Sequence, residues 1–289
     1  MFKFGNQRVV EIAGVKIGGE PGENPTVLVG SIFYHKHGIV EDEKKGIFDR
    51  EAAEELIKNM EEMSDTTGNP GLVDVVIMSE EALTGYVDFV AGATDKPFLI
   101  DSALPEIKIS AVKFAEEAGL ENRIIYNSIS PESAGEEFEV LKNSEISSAV
   151  VLAYTPKITS AAARVESLEK LLPLIEDAGL NQILVDTFVM DVPSLPAAAR
   201  AGIEVKRRFG YPAGSGAHNA IASWRGFENL LGKEAEEYAV LAADLMQIIA
   251  GSDFLLYGPI EDARKIFPAV YVVDTAYRYF LRTGDGIEI

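Results

Sequence analysis

The sequence predicts an α/β fold: a (β/α)8 (TIM) barrel preceded by a short β-hairpin. Three observations predict it. Short runs rich in Val, Ile and Leu recur eight times along the chain. Longer amphipathic stretches separate them. The runs are mostly continuous rather than alternating, as strands covered on both faces should be. Strand and helix repeated eight times in 289 residues is near the usual size of such a barrel. A doubly wound sheet is the alternative built from the same ingredients.

In chain order, Arg8–Ile12 and Val15–Ile17 form a hairpin turned at Ala13–Gly14, expected to cover the bottom of the barrel. Residues 1–24 are assigned to this extension, and residues 25–289 to the barrel as a single domain. The eight strand runs are Thr26–Tyr34, Val73–Met78, Pro97–Asp101, Arg123–Ile129, Ser148–Tyr154, Gln182–Thr187, Tyr211–Ala217 and Asp253–Gly258. Tyr211–Ala217 is the least strand-like, being rich in Gly and small residues. Asp49–Met63 places Ala52, Leu56, Ile57 and Met60 on one helical face. Pro105–Gly119 opens with Pro and closes with Gly, as helices do. Val165–Gly179 carries Leu168, Leu171, Leu172 and Ile175 on one side, with Pro173 a potential kink. Ser194–Arg208, Lys233–Ala250 and Ile260–Arg282 continue the helical pattern. Gly18–Pro25 and Thr66–Pro70 are loops by composition.

Composition removes several functions. Lys and Arg number 26 against 46 Asp and Glu, a formal net charge of −20, so a polyphosphate is repelled and nucleic-acid binding is not expected. Zero cysteine excludes disulfides, Cys-ligated metals and thiol nucleophiles. No apolar run reaches the ~18 residues of a membrane span, and Met1–Gln7 has no signal core; the expected location is the cytoplasm. No P-loop, dinucleotide fingerprint or G-x-S-x-G elbow is present. Nor is there a D-x-H-x-x-G, by which many proteins bind cobalamin.

Barrel chemistry lies at the C-terminal ends of the strands, and here those ends are polar. Asp101, Asn127, Asp186 and Asn219 end strands three, four, six and seven; strand two carries Asp74, and Ser128 follows Asn127. Singly, each acid fits a helix cap or an ion pair. Together, converging on one mouth, they favour a ligand, because burying unpaired carboxylates is costly. Two carboxylates with two amides suit a neutral heterocycle such as a pterin: the carboxylate accepts from adjacent N–H and amino groups, and the amide both donates and accepts. The three histidines, His35, His37 and His218, all fall at loop positions; zinc ligation is one reading of them, hydrogen bonding or partner contact the other. Lys36, Lys157, Arg164 and Arg225 lie on or near the same face.

Several segments resemble a known family. They are Met1-Phe-Lys-Phe, Val15-Lys-Ile-Gly-Gly19, Pro25-Thr-Val-Leu-Val-Gly-Ser31-Ile-Phe-Tyr34-His35, Asp42-Glu-Lys-Lys-Gly46, Thr67-Gly-Asn-Pro70, Pro97-Phe-Leu-Ile-Asp101-Ser, Ile125-Tyr-Asn127-Ser-Ile129, Gly216-Ala-His-Asn-Ala220, Trp224-Arg-Gly226 and Leu256-Tyr-Gly-Pro-Ile260-Glu-Asp. Together they resemble the family of the H subunit of tetrahydromethanopterin S-methyltransferase, almost end to end. The resemblance implies a (β/α)8 barrel that moves a methyl group between N5 of a tetrahydropterin (tetrahydromethanopterin, or tetrahydrofolate in bacterial relatives) and the cobalt of a corrinoid. In the wider group, which extends to dihydropteroate synthase, an Asp, an Asn and an Asp after strands three, four and six hold the pterin, and an Asn after strand seven approaches N5. Asp101, Asn127, Asp186 and Asn219 match in order, with Asp74 and Ser128 beside them.

The implied catalytic residue is Asn219, with His218 the alternative acid. The implied partner is a separate corrinoid protein, contacted by His35, Lys36, His37, Trp224 and Arg225, and any membrane association is indirect, through other subunits. Homodimerisation is the default expectation. The family often has cysteine where this chain has Ser215, and the chain ends somewhat early beside it, which bears on contacts with other subunits. Two alternatives are a dihydropteroate-synthase-like condensation, which needs a diphosphate site that only Arg225 and Arg264 approach, and a non-catalytic scaffold subunit.

Overall fold

A computed structural model describes residues 2–284 and 286–289; Met1 of the opening motif lies outside them. Eight parallel strands close into a barrel. They are β1 (Val27–Ile32), β2 (Gly71–Val76), β3 (Phe98–Asp101), β4 (Ile124–Ile129), β5 (Ser148–Leu152), β6 (Gln182–Asp186), β7 (Ala213–Ser215) and β8 (Phe254–Pro259), and β8 pairs with β1 to complete the ring. Each contains or overlaps the run expected for it. The barrel helices are α1 (Arg50–Thr67), α2 (Glu80–Ala93), α3 (Pro105–Ala118), α4 (Gly135–Lys142), α5 (Ala161–Asp177), α6 (Leu195–Phe209), α7 (Glu234–Ile249) and α8 (Ala263–Thr283), and two short helices, Asn219–Ala222 and Phe227–Leu231, lie between β7 and α7. Among the described residues no helix is long and apolar enough to cross a membrane.

Five features were not anticipated. α2 follows a Ser79 cap, whose side chain accepts from the Ala82 N–H. α4 is only eight residues long. Val40–Asp42 and Ile47–Phe48 make a second small hairpin, and Phe2–Lys3 pairs in parallel with Ile287–Glu288. α1 also runs further than expected, through Thr66 and Thr67, and ends at Gly68 in the left-handed conformation. Pro173 is accommodated inside α5, which continues to Asp177.

The N-terminal hairpin pairs Val9–Ile12 with Val15–Gly18. Its Val10, Ile12, Val15 and Ile17 join Val29, Leu72, Leu99, Ile125, Val150, Leu184 and Phe254 in one apolar cluster. Those barrel residues are the inward positions near the strand starts, so the hairpin plugs the lower end. A buried ion pair ties it down: Lys206 Nζ lies 2.5 and 2.7 Å from the Asp253 carboxylate and 3.2 Å from Gly19 O. Inward side chains along a strand repeat every second residue. Two residues beyond the apolar layer come Ser31, Asp74, Asp101, Asn127 and Asp186. The plug thus fills the floor with hydrocarbon and leaves the next layer polar on five strands, with Leu152 on β5 and Leu256 on β8 the apolar exceptions. β7 contributes no side chain at this height because a Cβ on Gly214 would collide with the carbonyl and ring of Phe254.

Ile17 is fully buried in the plug, and Val9 on the same hairpin is exposed. Ile17→Ala is expected to cost about 2–5 kcal/mol, and Val9→Ala under ~0.5 kcal/mol, measured by denaturant unfolding. Equal effects would contradict the plug.

Candidate active site

The register brings the polar positions together. Ser31 is opposite Asp74 on β1 and β2, and Asp101 is opposite Asn127 on β3 and β4. Ser31 Oγ donates to Asp74 Oδ2 at 2.9 Å, and Asn127 Nδ2 donates to Asp74 Oδ1 at 3.1 Å across the intervening strand. Asp74 therefore holds the Asn127 amide in one orientation, with Asn127 Oδ1 and its second N–H left for a ligand. Ser31 was not singled out from sequence. Its signal was the position two residues above Val29 on an inward face.

Asp101 accepts no hydrogen bond from any described side chain. Burial, and then the Asp74 carboxylate beside it, raise its pKa well above the usual range, while Lys108 pulls it partly back. Burial raises Asp74 to about 6 against the donations of Ser31 and Asn127. Across the mouth, Asp186 accepts from the Phe188 N–H at 2.7 Å, and burial raises it to about 6 as well. Arg164, fully buried, is held by the carbonyls of Ile158, Thr187 and Phe188 beneath this loop, so it braces the backbone around Asp186. The mouth thus carries three acids that keep protons at pH values where exposed acids have lost them.

Ser128 contributes its carbonyl oxygen, which accepts from Lys108 Nζ at 2.8 Å. Lys108 also pairs with buried Glu137 at 2.7 Å, and the Tyr126 hydroxyl donates to the same carboxylate. Burial opposes ionisation of Glu137, but Lys108 and Tyr126 outweigh it and its pKa is lowered. This charged cluster anchors β4 to α3 and α4 behind Asn127.

Asn219 and His218 follow β7. A Cβ on Gly216 would meet Asn219 Nδ2 at 3.1 Å and His218 Cε1 at 3.4 Å, so both side chains lie over the end of that strand. Asn219 is exposed. His218 Nδ1 lies 2.8 Å from Leu256 O and must carry the proton there. Its ring lies over Gly258, where φ is +89° and a Cβ would clash with it. Burial lowers its pKa. The imidazole is therefore neutral near pH 7 with Nε2 an acceptor, which opposes the role of acid. A cavity of about 330 Å³ lies on the other side of this ring, walled in part by Asp244 and Tyr257.

The remaining histidines separate. His37, expected at a partner-contact surface, is buried: Nδ1 accepts from the Phe33 N–H at 3.0 Å, Nε2 lies 2.9 Å from Glu261, and the ring stacks on Tyr34. It is an internal strut between the β1 and β8 loops. Glu261 lies 224 residues further along, so the sequence carried no local sign of the pair. His35 is exposed and 3.0 Å from Glu43. Arg225 is exposed beside Trp224. Each histidine has its own partners, and no group of three metal-ligating side chains occurs among the described residues.

A carboxyl whose folded pKa lies above its unfolded value binds extra protons in the folded state. Its penalty is absent below about pH 4 and develops as pH rises through about 6, reaching on the order of 3 kcal/mol for Asp186. Asp186→Asn keeps an acceptor for Phe188 and removes the charge. The variant is expected to melt several degrees above the parent at pH 8, with the gain mostly gone at pH 4. A pH-independent difference would contradict a buried charge.

Comparison with known proteins agrees with this geometry. The profile of the family described as "Tetrahydromethanopterin S-methyltransferase MtrH subunit" matches residues 5–289. The H subunit of tetrahydromethanopterin S-methyltransferase from Methanothermobacter marburgensis is 42% identical over 95% of this chain and 92% of its own. That of Methanocaldococcus jannaschii is 44% identical over the same shares. The H subunit of a putative mtx methyltransferase from Methanosarcina mazei is 40% identical over the same shares. Among solved structures, a dihydropteroate synthase from Thermus thermophilus superposes with a TM-score of 0.63 over 93% of this chain and 99% of its own, at 17% identity, a likeness of fold. With eight strands, a plugged floor and a polar mouth in a sequence matched from residue 5 to its last residue, the chain belongs to the MtrH family of tetrahydromethanopterin S-methyltransferase subunits.

Proposed function

We propose that the protein transfers a methyl group between N5 of a tetrahydropterin bound in the barrel mouth and the cobalt of a corrinoid carried by a partner protein, and that it works as a homodimer. Tetrahydromethanopterin is the pterin its family name favours, with tetrahydrofolate the alternative. The observation that carries the proposal is Asp101: a carboxyl at the mouth with no side-chain hydrogen-bond partner among the described residues, flanked by Asn127 and faced by Asp186. A pterin edge with adjacent N–H and amino groups supplies the donors these acceptors lack.

In this reading Asp101 and Asp186 bind that edge in their ionised forms. Asn127, fixed by Asp74, sets its orientation, and Ser128 continues the polar wall beside it. When the N5–methyl bond breaks, N5 keeps the bonding pair and must gain a proton. Asn219 makes a hydrogen bond to N5 that strengthens as charge develops there. The proton comes from water at the open mouth, because His218 is held neutral and Nδ1-protonated. The corrinoid, when docked, supplies the cobalt that accepts or returns the methyl group. Exposed His35, Trp224 and Arg225 on the same end are the contact residues proposed for its carrier, without His37.

Asn219→Ala is expected to lower kcat by about 10²–10³ with less than a fewfold change in pterin affinity. Equal losses in both would remove the catalytic role. Calorimetric titration with methyl-tetrahydromethanopterin, and separately methyl-tetrahydrofolate, is expected to show saturable binding of one that Asp101→Ala abolishes. No binding of either by folded protein would instead favour a non-catalytic scaffold subunit.

A further inference from the structure

α7 and α8 follow β7 and β8 at the mouth end of the barrel, and their N-terminal halves enclose the cavity of about 330 Å³ behind the His218 ring. That is the lower end of the ~300–1,000 Å³ usual for a small-molecule site. Val240 and Leu241 of α7, Ile266 of α8 and Pro259 make much of the lining apolar. Asp244, on the same lining, is fully buried, and neither of its carboxyl oxygens has a hydrogen-bond partner among the described residues. Nor does the hydroxyl of buried Tyr257, on the β8 side. Burial holds the Asp244 carboxyl well above the usual range, against the His218 backbone N–H, which favours its ionised form.

A buried carboxyl and a buried hydroxyl without partners cost stability. Here the carboxyl borders a space large enough for a ligand, the combination expected where the missing donor comes from outside. The cavity shares a wall with the mouth. That wall is the ring of His218, the residue before Asn219, which meets N5 in the reading above. In a tetrahydropterin the ring atom next to N5 is C6. In tetrahydromethanopterin and tetrahydrofolate alike, C6 carries a one-carbon link to an arylamine, an N–H joined to a flat benzene ring. Such an arm matches the cavity: its N–H is a donor for the unpartnered acceptors, and its ring is an apolar body for the walls.

We infer that this cavity is the subsite for the arylamine arm on C6 of the tetrahydropterin, with the arm's N–H donating to Asp244 and its benzene ring lying against Val240, Leu241 and Ile266. The inference rests on the reading of the mouth as a pterin site and extends it. The mouth's acids hold one edge of the bicyclic ring, and the cavity takes the group that leaves the opposite edge. Held at both ends, the bicycle keeps N5 against Asn219. A pterin without the arm has only the first of these holds.

The test is calorimetry of the full chain with armed and armless ligands. The armed ligands are methyl-tetrahydromethanopterin and methyl-tetrahydrofolate. The armless one is a tetrahydropterin carrying plain methyl groups on N5 and C6. The wild type is expected to bind its armed pterin on the order of 30-fold more tightly than the armless one. Val240→Trp, which fills the cavity, is expected to bring the two affinities within a fewfold of each other. Asp244→Leu removes an unpartnered buried carboxyl, so it is expected to raise the melting temperature of the free protein while weakening the armed pterin about fivefold or more. A preference for the armed pterin that survives both substitutions would overturn the subsite and leave the pterin reading standing. So would a wild type that binds armed and armless pterins equally, or an Asp244→Leu protein that melts lower with its preference intact, the mark of a structural carboxyl. A folded wild type that binds none of the three ligands would overturn the pterin reading, and the subsite with it.

Discussion

A closed eight-stranded barrel has room inside for only a few layers of side chains. In this protein the hairpin at the start of the chain fills the lowest, and Leu72, Leu99, Ile125, Val150 and Leu184 fill the next. The period of two along each strand then dictates that Ser31, Asp74, Asp101, Asn127 and Asp186 share the layer above. The polar mouth is a consequence of that stacking. Shifting one strand by a single residue would turn its acid toward the helices.

Collecting carboxyls in this layer works against stability. Burial raises Asp74, Asp101 and Asp186 above their ordinary range, and no cation pairs with any of them within 4 Å among the described residues. Most other buried acids have partners within the chain: Lys206 lies against Asp253, Lys108 against Glu137, and Asp274 accepts from Thr26 and Asn69, whereas Asp244, beside His218, shares the mouth's lack of one. The contrast marks the mouth as the place where partners are expected from outside. It is the usual signature of a binding site that gives up stability for function.

The architecture was largely legible in the sequence, since all eight strands and the hairpin announce themselves by composition and turn residues. α2 escaped because Gly85 and Gly92 dilute its stripe of Leu83, Tyr86, Val87 and Val90, although Ser79 was a fair cap. α4 escaped because two turns opening on Gly135 are too short to display a period. The residues of the mouth were legible as strand ends, but their division of labour was not. That Asp74 serves Asn127 depends on register across an intervening strand, and that His37 is internal depends on Glu261 arriving from β8. Neither relation leaves a trace in local sequence.

The central claim is that the mouth's acids hold protons until a pterin edge replaces them. It is tested most directly by proton release on binding. Calorimetric titration of the protein with its methyl-tetrahydropterin near pH 6, repeated in buffers of different ionisation enthalpy, counts the protons exchanged. The account predicts net release, on the order of one proton per site, as Asp101 and Asp186 ionise against the ligand's N–H groups. Tight binding with no release, or with uptake, would contradict it.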